Sequence, residues 1–215
     1  MGTVRIHMMM SLDGYVAGPN QRLDAPFGDG TEHFLDWAFA TRVFHEMLHQ
    51  EGGEGGPTDE VMRGTAENLG ATIMGRGMFG GGHGAWPQEP WSGWWGSNPP
   101  YHTPVFVLTH APREPLPMEG GTTFYFVTDG IEAALAQARE AAGDRDIRIG
   151  GGGDVANQYL AAGLVDELEL HLVPTFIGPR GVRLLDGLGA GRPQLELIRT
   201  VAAPDVTHLK YRVLN

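Results

Sequence analysis

Apolar residues along the chain follow two patterns that alternate, short unbroken runs and longer segments with helical spacing. Runs bounded by Gly, Pro, Asn and Asp favour strands, whereas recurrence every three or four residues favours helices. The predicted strands are residues 4–10, 71–75, 104–109, 123–128, 147–149, 168–173, 194–201 and 206–213. The predicted helices are residues 32–50, 59–68, 131–142 and 155–162. This alternation predicts an α/β fold with a mostly parallel central sheet, and the last two strands predict an antiparallel C-terminal edge.

One long segment, residues 77–104, interrupts the alternation with a loop that has no periodicity. Long loops of this kind in a compact domain are usually functional or mobile. Its tryptophans fit a lid or a stacking wall over a heterocycle, or equally a packed surface loop or part of a subunit interface. These are Trp86, Trp91, Trp94 and Trp95. The chain shows no internal repeat and no linker, so residues 1–215 are interpreted as a single domain.

The composition excludes several classes of protein. A formal net charge of −11 argues against nucleic-acid or anionic-membrane binding, which requires a basic surface. The chain has no cysteine, so disulfides, thiolate zinc sites and a cysteine nucleophile are excluded. The histidines and acids form no recognisable metal set, and no apolar run of signal-peptide length begins the chain. We therefore expect a cytoplasmic protein that binds a small molecule and no metal.

The most specific local signal is a glycine run between a strand and a helix, Gly150, Gly151, Gly152 and Gly153, followed by Asp154. Glycines at such a position let the backbone approach a phosphate, and the helix N-terminus offers N–H groups and positive potential. The spacing matches neither the Gly-x-Gly-x-x-Gly dinucleotide fingerprint nor a Walker loop. A tight turn without a ligand is the alternative, but the pattern favours phosphate binding.

Two residue pairs that follow other predicted strands can contact the same phosphorylated ligand. Gly75 and Arg76 end one strand, where a planar arginine fork suits a diphosphate or a 2′-phosphate. Thr109 and His110 follow the next strand and offer a hydroxyl and an imidazole. Because ligands of open α/β sheets bind at the carboxyl ends of the strands, we expect these pairs and the glycine run to meet.

The order of several motifs resembles that of a known family. The motifs are residues 9–19, 73–76, 149–153 and 163–168, followed by Pro174 and Gly178. Together they resemble the dihydrofolate-reductase-like family that includes the reductase domain of riboflavin biosynthesis, and the resemblance spans nearly the whole chain. It implies a dihydrofolate-reductase-like three-layer sandwich. Family members commonly pair, so it also implies a homodimer.

The resemblance implies that the cofactor is NADPH, with its diphosphate at the glycine run, its adenosine near Thr109 and its nicotinamide near the first loop. The predicted cofactor-binding residues are Val16, Ala17, Gly18, Gly75, Arg76, Thr109, His110, Gly150, Gly151, Gly152, Gly153 and Asp154. The implied reaction is hydride transfer to a small heterocyclic or ribosylamino-pyrimidine-like substrate. A non-catalytic small-molecule-binding protein on the same fold is the alternative, because fold alone does not establish activity.

Two acids are the candidate catalytic residues. Asp36 lies on the first predicted helix, where a carboxyl group can supply a proton to the substrate. The alternative for Asp36 is that it only complements the helix dipole. Asp13 lies in the turn after the first strand, and its alternative is to organise that turn through backbone hydrogen bonds.

Overall fold

A nine-stranded sheet forms the centre of the structure, a computed structural model that describes residues 2–22, 24–80, 84–86, 91–186, 188 and 192–214. The strands are β1 Val4–Ser11, β2 Tyr15–Ala17, β3 Leu69–Gly75, β4 Pro104–Leu108, β5 Leu116–Pro117, β6 Thr123–Val127, β7 Asp146–Gly151, β8 Glu167–Val173, β9 Val182–Arg183, β10 Gln194–Ala203 and β11 Val206–Leu214. The helices are α1 Asp36–Phe39, α2 Arg42–Met47, α3 Pro57–Ala66, α4 Arg76–Phe79, α5 Gly130–Ala142 and α6 Gly153–Ala161, with a 3-10 turn at Glu119–Gly121.

The central sheet has the strand order β10-β11-β8-β1-β7-β3-β4-β6-β5. Its six inner strands, from β8 to β6, pair in parallel. At one side β11 and β10 run antiparallel, and at the other side β5 does. The predicted mostly parallel sheet with an antiparallel C-terminal edge is therefore confirmed. The small β2–β9 ladder was not predicted, because neither strand exceeds three residues.

Helices cover both faces of this sheet and make three layers. On one face α5 and α6 pack their small and aromatic side chains, such as Ala138 and Tyr159, against Ile6, Ile73 and Ile149. Strand residues alternate between faces, so the neighbouring positions of the same strands point to the opposite layer. That layer holds α1 to α3 and the tryptophan-containing segment, with its own apolar cluster around Trp37.

The single helix predicted for residues 32–50 is wrong. The structure has two short helices, α1 and α2, separated at Thr41, whose backbone is extended with ψ 149°. The Thr41 hydroxyl accepts the Phe44 N–H at 3.3 Å and caps α2. The carbonyl of Ala40 accepts the Glu54 N–H at 2.7 Å, which takes the chain out of the helical pattern. The apolar periodicity continues through the break, because α1 buries Trp37 and Ala38 and α2 buries Val43. Thr41, a favoured N-cap residue, is the sequence signal for the break.

The remaining predicted strands and helices are present with small shifts of their ends. In the described part of the chain, no helix is long and apolar enough to cross a membrane. The same residues contain no group of three or more His, Asp or Glu placed to hold a metal ion.

Candidate active site

A cavity of about 1370 Å³ opens at the carboxyl ends of β1, β3, β4, β6 and β7. It brings together most of the residues that the sequence predicts for cofactor binding. These are Val16, Ala17, Gly75, Arg76, Thr109, His110, Gly150, Gly151, Gly152, Gly153 and Asp154. Gly18 does not line the cavity. It lies against the backbone of Asp29, where a β-carbon would collide with the Asp29 carbonyl oxygen.

Gly75 and the glycine run affect the geometry of the cavity in different ways. A β-carbon at Gly75 would lie 2.9 Å from Val155 Cγ2, and one at Gly151 would lie 2.9 Å from Met8 Sδ. Gly151 also has a φ of 124°, a conformation that side chains strongly disfavour. Gly75 therefore lets α6 pack close to β3, whereas Gly151 leaves room for Met8 of the neighbouring strand β1. Gly152 is different, because a β-carbon there would meet no atom within 4 Å and would extend into open space beside the cavity.

The N-terminus of α6 begins at this glycine run and faces the cavity. Gly152 is the N-cap residue, and the first helical hydrogen bond runs from the Ala156 N–H to the Gly152 carbonyl at 3.1 Å. The backbone N–H groups of Gly153, Asp154 and Val155 precede that bond and carry the positive end of the helix dipole. A helix terminus with these properties can hold a phosphate through its backbone alone.

A second positive region of the cavity lies at Arg76, which stacks its guanidinium 3.2 Å from the centre of the Trp86 ring. The guanidinium of Arg113 lies 4.8 Å from the same ring, and Arg113 Nη1 donates to the Trp91 carbonyl at 2.6 Å. Burial and the charge of Arg113 lower the pKa of Arg76. No motif in the sequence marks Arg113. It lies in a loop, and the fold brings it close to Arg76.

Thr109 and His110 lie beside Arg76 at the same wall. The Thr109 hydroxyl lies 3.5 Å from Arg76 Nη1 and accepts the Ala111 N–H at 3.2 Å. The hydroxyl therefore shapes the turn after β4 and faces the guanidinium. His110 is exposed at the rim of the cavity, where its imidazole is accessible to a ligand.

The two candidate catalytic acids do not line this cavity. Asp13 accepts hydrogen bonds from the Gly178 N–H at 2.7 Å, the Ile177 N–H at 3.2 Å and the Ser11 hydroxyl at 2.5 Å. Burial opposes ionisation, but the bonds from Ser11, Gly178 and Ile177 outweigh it and lower the pKa of Asp13. The carboxylate thus ties the first loop to the segment after β8, which is the turn-organising alternative.

Asp36 lies at the surface, with 62% of its side chain exposed, and pairs with His33 Nδ1 at 2.8 Å. It borders a separate, smaller cavity of about 450 Å³ together with Trp37 and Pro174. Its neighbour Trp37 reaches the main cavity, whereas the carboxylate of Asp36 does not. Catalytic roles for Asp13 and Asp36 remain predictions that the positions of their side chains do not favour.

The tryptophans of the long loop divide between the two interpretations. Trp86 and Trp91 pack against the apolar cluster around Phe79 and Phe124, so they belong to the packed part of the loop. Trp94 and Trp95 line the cavity. The indole N–H of Trp94 donates to the Met78 carbonyl at 2.9 Å and anchors that wall. Part of this segment, residues 81–83 and 87–90, lies outside the described residues.

The inner end of the cavity is formed by residues that sequence reasoning did not single out. They come from neighbouring strands and from the loop before β4, and they are His7, Tyr101, Arg148 and His171. Strand residues two apart share a face, so His7 and Met9 of β1 point to the same layer as Arg148 of β7. No motif marks these positions, because His7, Arg148 and His171 are single residues within strands and Tyr101 lies in a loop.

A buried histidine pair lies next to this inner end. Nδ1 of His171 and Nδ1 of His208 are 2.8 Å apart, which requires that one ring donates and the other accepts. Burial, the charge of His208 and the charge of Arg199 lower the pKa of His171 to about 3. Burial and Arg199 lower the pKa of His208 to about 4. Both rings are therefore neutral at physiological pH, and Trp37 packs on them at ring distances of 4.9 and 5.5 Å.

Comparison with known proteins places this geometry in context. A family model described as the RibD C-terminal domain matches residues 2–209. No curated protein sequence matches the chain significantly. A candidate riboflavin biosynthesis protein from Shewanella sp. PV-4 is 21% identical, with 99% of both chains covered and a TM-score of 0.61. RibD from Acinetobacter baumannii is 15% identical over the whole of this chain and 59% of its own, with a TM-score of 0.57.

Dihydrofolate reductase from Enterococcus faecalis, solved in complex with NADP(H) and RAB-propyl, is 15% identical with a TM-score of 0.54. The alignment covers the whole of this chain and 98% of the reductase. These likenesses establish a dihydrofolate-reductase-like fold and confirm the predicted fold class. With the family match, they support a reductase-type function.

We predict that acid destabilises the protein through the histidine pair. Because the folded-state pKa values lie below the unfolded value of 6.5, the unfolded chain binds more protons as the pH falls from 6.5 toward 4. The free energy of unfolding should decrease over this range, and the His171→Asn variant should lose part of that decrease. Urea unfolding measured at a series of pH values tests this.

The control is His110→Asn, which replaces an exposed histidine and should keep the wild-type pH dependence. An unchanged pH dependence in a folded His171→Asn variant would contradict the assignment.

Proposed function

The chain belongs to the RibD C-terminal domain family, and we propose that it is a reductase that uses NADPH to reduce a small heterocyclic or ribosylamino-pyrimidine-like substrate. The observation that carries the proposal is the single cavity that joins the N-terminus of α6 to the arginine wall. Two anion-binding regions in one cavity suit a ligand with two separate phosphate groups. NADPH has this chemistry, with a diphosphate and a 2′-phosphate.

The diphosphate would lie against Gly152 and the first turn of α6. Gly152 leaves open space where any other residue would place a β-carbon, so the backbone can approach an anion closely. The N–H groups of Gly153 and Asp154 would donate to the phosphate oxygens. The Asp154 side chain is exposed, so its contribution to binding would come from its backbone.

The 2′-phosphate would lie at Arg76. Trp86 fixes the guanidinium plane by stacking, and this orients the fork before a ligand arrives. Arg113 adds a second positive charge on the same ring. A phosphate placed here would also relieve the repulsion between the two arginines, which lowers the pKa of Arg76 in the free protein.

The nicotinamide would lie near Val16 and Ala17, which are buried and line the cavity. Val16 Cγ2 would lie 3.4 Å from a β-carbon at Gly153, so this apolar wall adjoins the phosphate-binding turn. When bound, NADPH supplies a hydride from the nicotinamide ring. The chain positions the two ligands and excludes water from their contact. Since Asp13 and Asp36 lie away from the cavity, we propose that solvent delivers the proton.

We also propose that the protein is a homodimer that pairs through β10. This strand lies at the edge of the sheet, and edge strands offer unpaired backbone groups to a partner. Three apolar side chains of β10 are exposed, Leu195 at 43%, Leu197 at 56% and Ile198 at 43%. A contiguous apolar strip of this kind on an edge strand is typical of a protein interface.

The first test is NADPH binding to a Gly152→Val variant, followed by nicotinamide fluorescence. The new side chain would occupy the space of the diphosphate, so the affinity should fall at least about tenfold, or ~1.4 kcal/mol. Gly152 suits the test better than Gly151, whose positive φ and contact with Met8 would strain any side chain.

Gly64→Val provides the control, because Gly64 on α3 also has open space around it and does not line the cavity. It should bind NADPH like the wild type. A folded Gly152→Val variant with unchanged NADPH affinity would remove the diphosphate assignment.

The second test is the preference for NADPH over NADH in an Arg76→Ala variant. Loss of a charge-assisted hydrogen bond costs about 1.5–3 kcal/mol, so the preference should fall about 10- to 100-fold while NADH binding changes little. Arg139→Ala, at an exposed position of α5, should keep the preference. If Arg76→Ala discriminates between the two cofactors as the wild type does, the 2′-phosphate assignment is wrong.

Turnover separates the reductase from the non-catalytic alternative. Ribosylamino-pyrimidines, pterins and enones are added to protein with NADPH, and the loss of NADPH absorbance is followed. Consumption with one of them supports the reductase. Tight binding of a ligand without any consumption supports the binding protein instead.

The dimer proposal is tested by light scattering on a Leu197→Glu variant. A buried unpaired carboxylate at the interface should convert a dimeric mass to a monomeric one. Leu12→Glu is the matched control, because Leu12 is 55% exposed and follows β1, three strands away from β10. A monomeric wild-type protein, or a Leu197→Glu variant that remains dimeric, contradicts the proposal.

A further inference from the structure

One charged group at the inner end of the cavity lacks the partners that buried charges normally have. Arg148 is in the middle of β7, flanked by β1 and β3 in the sheet. Its Nη2 lies 3.5 Å from Thr72 Oγ1, a long contact, and its buried Nε has no hydrogen-bond partner. Within the described residues, no carboxylate forms an ion pair with it. An arginine stays protonated in proteins, so the charge of Arg148 remains at this site.

The other arginines on the same face of the sheet have partners of the usual kind. Arg5 on β1 pairs with Asp146 at 3.2 Å and donates to the Glu67 carbonyl at 3.1 Å. Arg199 on β10 pairs with Glu169 at 2.7 Å. Glu169 also faces His7 at 3.7 Å, so the nearby carboxylate is shared by residues other than Arg148. Of these three arginines, Arg148 is therefore the one that lines the cavity and the one without an acid among the described residues.

The groups around Arg148 suit a flat ligand with an acidic group. Its guanidinium carbon lies 5.8 Å from the centre of the Tyr101 ring. A phenol hydroxyl can donate a hydrogen bond, so Tyr101 can donate to an anionic ligand. Trp37 and Trp95 add aromatic walls. Burial lowers the pKa of His7 well below its usual value, so His7 adds no second positive charge.

We infer that the substrate is an anion, a small aromatic or heteroaromatic ring with a carboxylate, and that Arg148 binds this carboxylate together with the Tyr101 hydroxyl. The inference rests on the proposed function for the direction of the ring toward the nicotinamide, but the carboxylate contact needs no cofactor. A carboxylate matches the planar guanidinium with two parallel hydrogen bonds and neutralises a single charge. A phosphate dianion would leave a negative charge uncompensated among apolar walls.

The test compares two ligands of one shape, 1-naphthoate and 1-naphthamide, by calorimetric titration of the complete protein without NADPH. The wild type should bind naphthoate about 10- to 100-fold more tightly than naphthamide, the range for a charge-assisted contact. Arg148→Met keeps the length of the side chain and should lose this preference. Arg148→Lys keeps the charge without the fork and should retain part of it.

Arg212→Met is the control, since Arg212 lies on β11, three strands away from β7, and pairs with Glu196 at the surface. It should keep the preference for naphthoate. Thermal unfolding separates a ligand-binding role from a structural one, because removal of an unpaired buried charge should leave the melting temperature unchanged or raised. A large fall in the melting temperature of Arg148→Met would indicate that Arg148 is structural, and would overturn the inference.

Three binding results would also overturn it. They are equal affinities of the wild type for the two ligands, no binding of naphthoate at all, and a preference that survives in Arg148→Met. NADPH titration of the same variants keeps the outcomes distinct from those of the proposed function. A naphthoate preference at Arg148 in a protein that never binds NADPH would refute the reductase and leave the carboxylate site standing.

Discussion

The close approach of α6 to the central sheet is the constraint on which the cavity depends. Gly75 on β3 lacks the side chain that would hold the helix away, because a β-carbon there would lie 2.9 Å from Val155 Cγ2. This contact brings the positive end of α6 to the carboxyl edge of the parallel strands. Because the strand ends and the helix N-terminus meet there, backbone N–H groups are available to an anion without a charged side chain.

The face of the sheet that carries Arg148 differs in how its charged side chains are paired. Several polar side chains on it pair with each other, as Arg199 does with Glu169 and His171 with His208. The histidine pair stays neutral, so it adds hydrogen bonding without adding charge beside the cavity. Against this background an arginine without an acid is unusual, since an uncompensated buried charge destabilises a fold. Such a cost at a single cavity-lining position indicates selection for a ligand rather than for stability.

The residues of the proposed cofactor site can be predicted from the sequence far better than those of the proposed substrate site, and the reason is physical. Gly75, Arg76 and the glycine run follow strands directly, so their convergence depends only on strand direction, which alternation of strands and helices already indicates. Arg148 stands out because no carboxylate among the described residues forms an ion pair with it, and this can be seen only in the folded chain. The helix predicted at 32–50 was wrong for a related reason. The chain breaks at Thr41, where the Thr41 hydroxyl caps α2 and the Ala40 carbonyl accepts the Glu54 N–H, and the spacing of apolar residues does not reveal these contacts.

The distribution of charge connects the two ends of the cavity. The chain has a formal net charge of −11, yet the cavity is lined by the positive end of α6, Arg76 and Arg148, with the carboxylate of Asp154 beside them. A concave positive region within an acidic protein concentrates field lines at its opening and attracts small anions, while the surface repels large ones such as nucleic acids. A phosphorylated cofactor and a carboxylate substrate would each be favoured by this field. Their mutual repulsion would be limited because a separate cation neutralises each one.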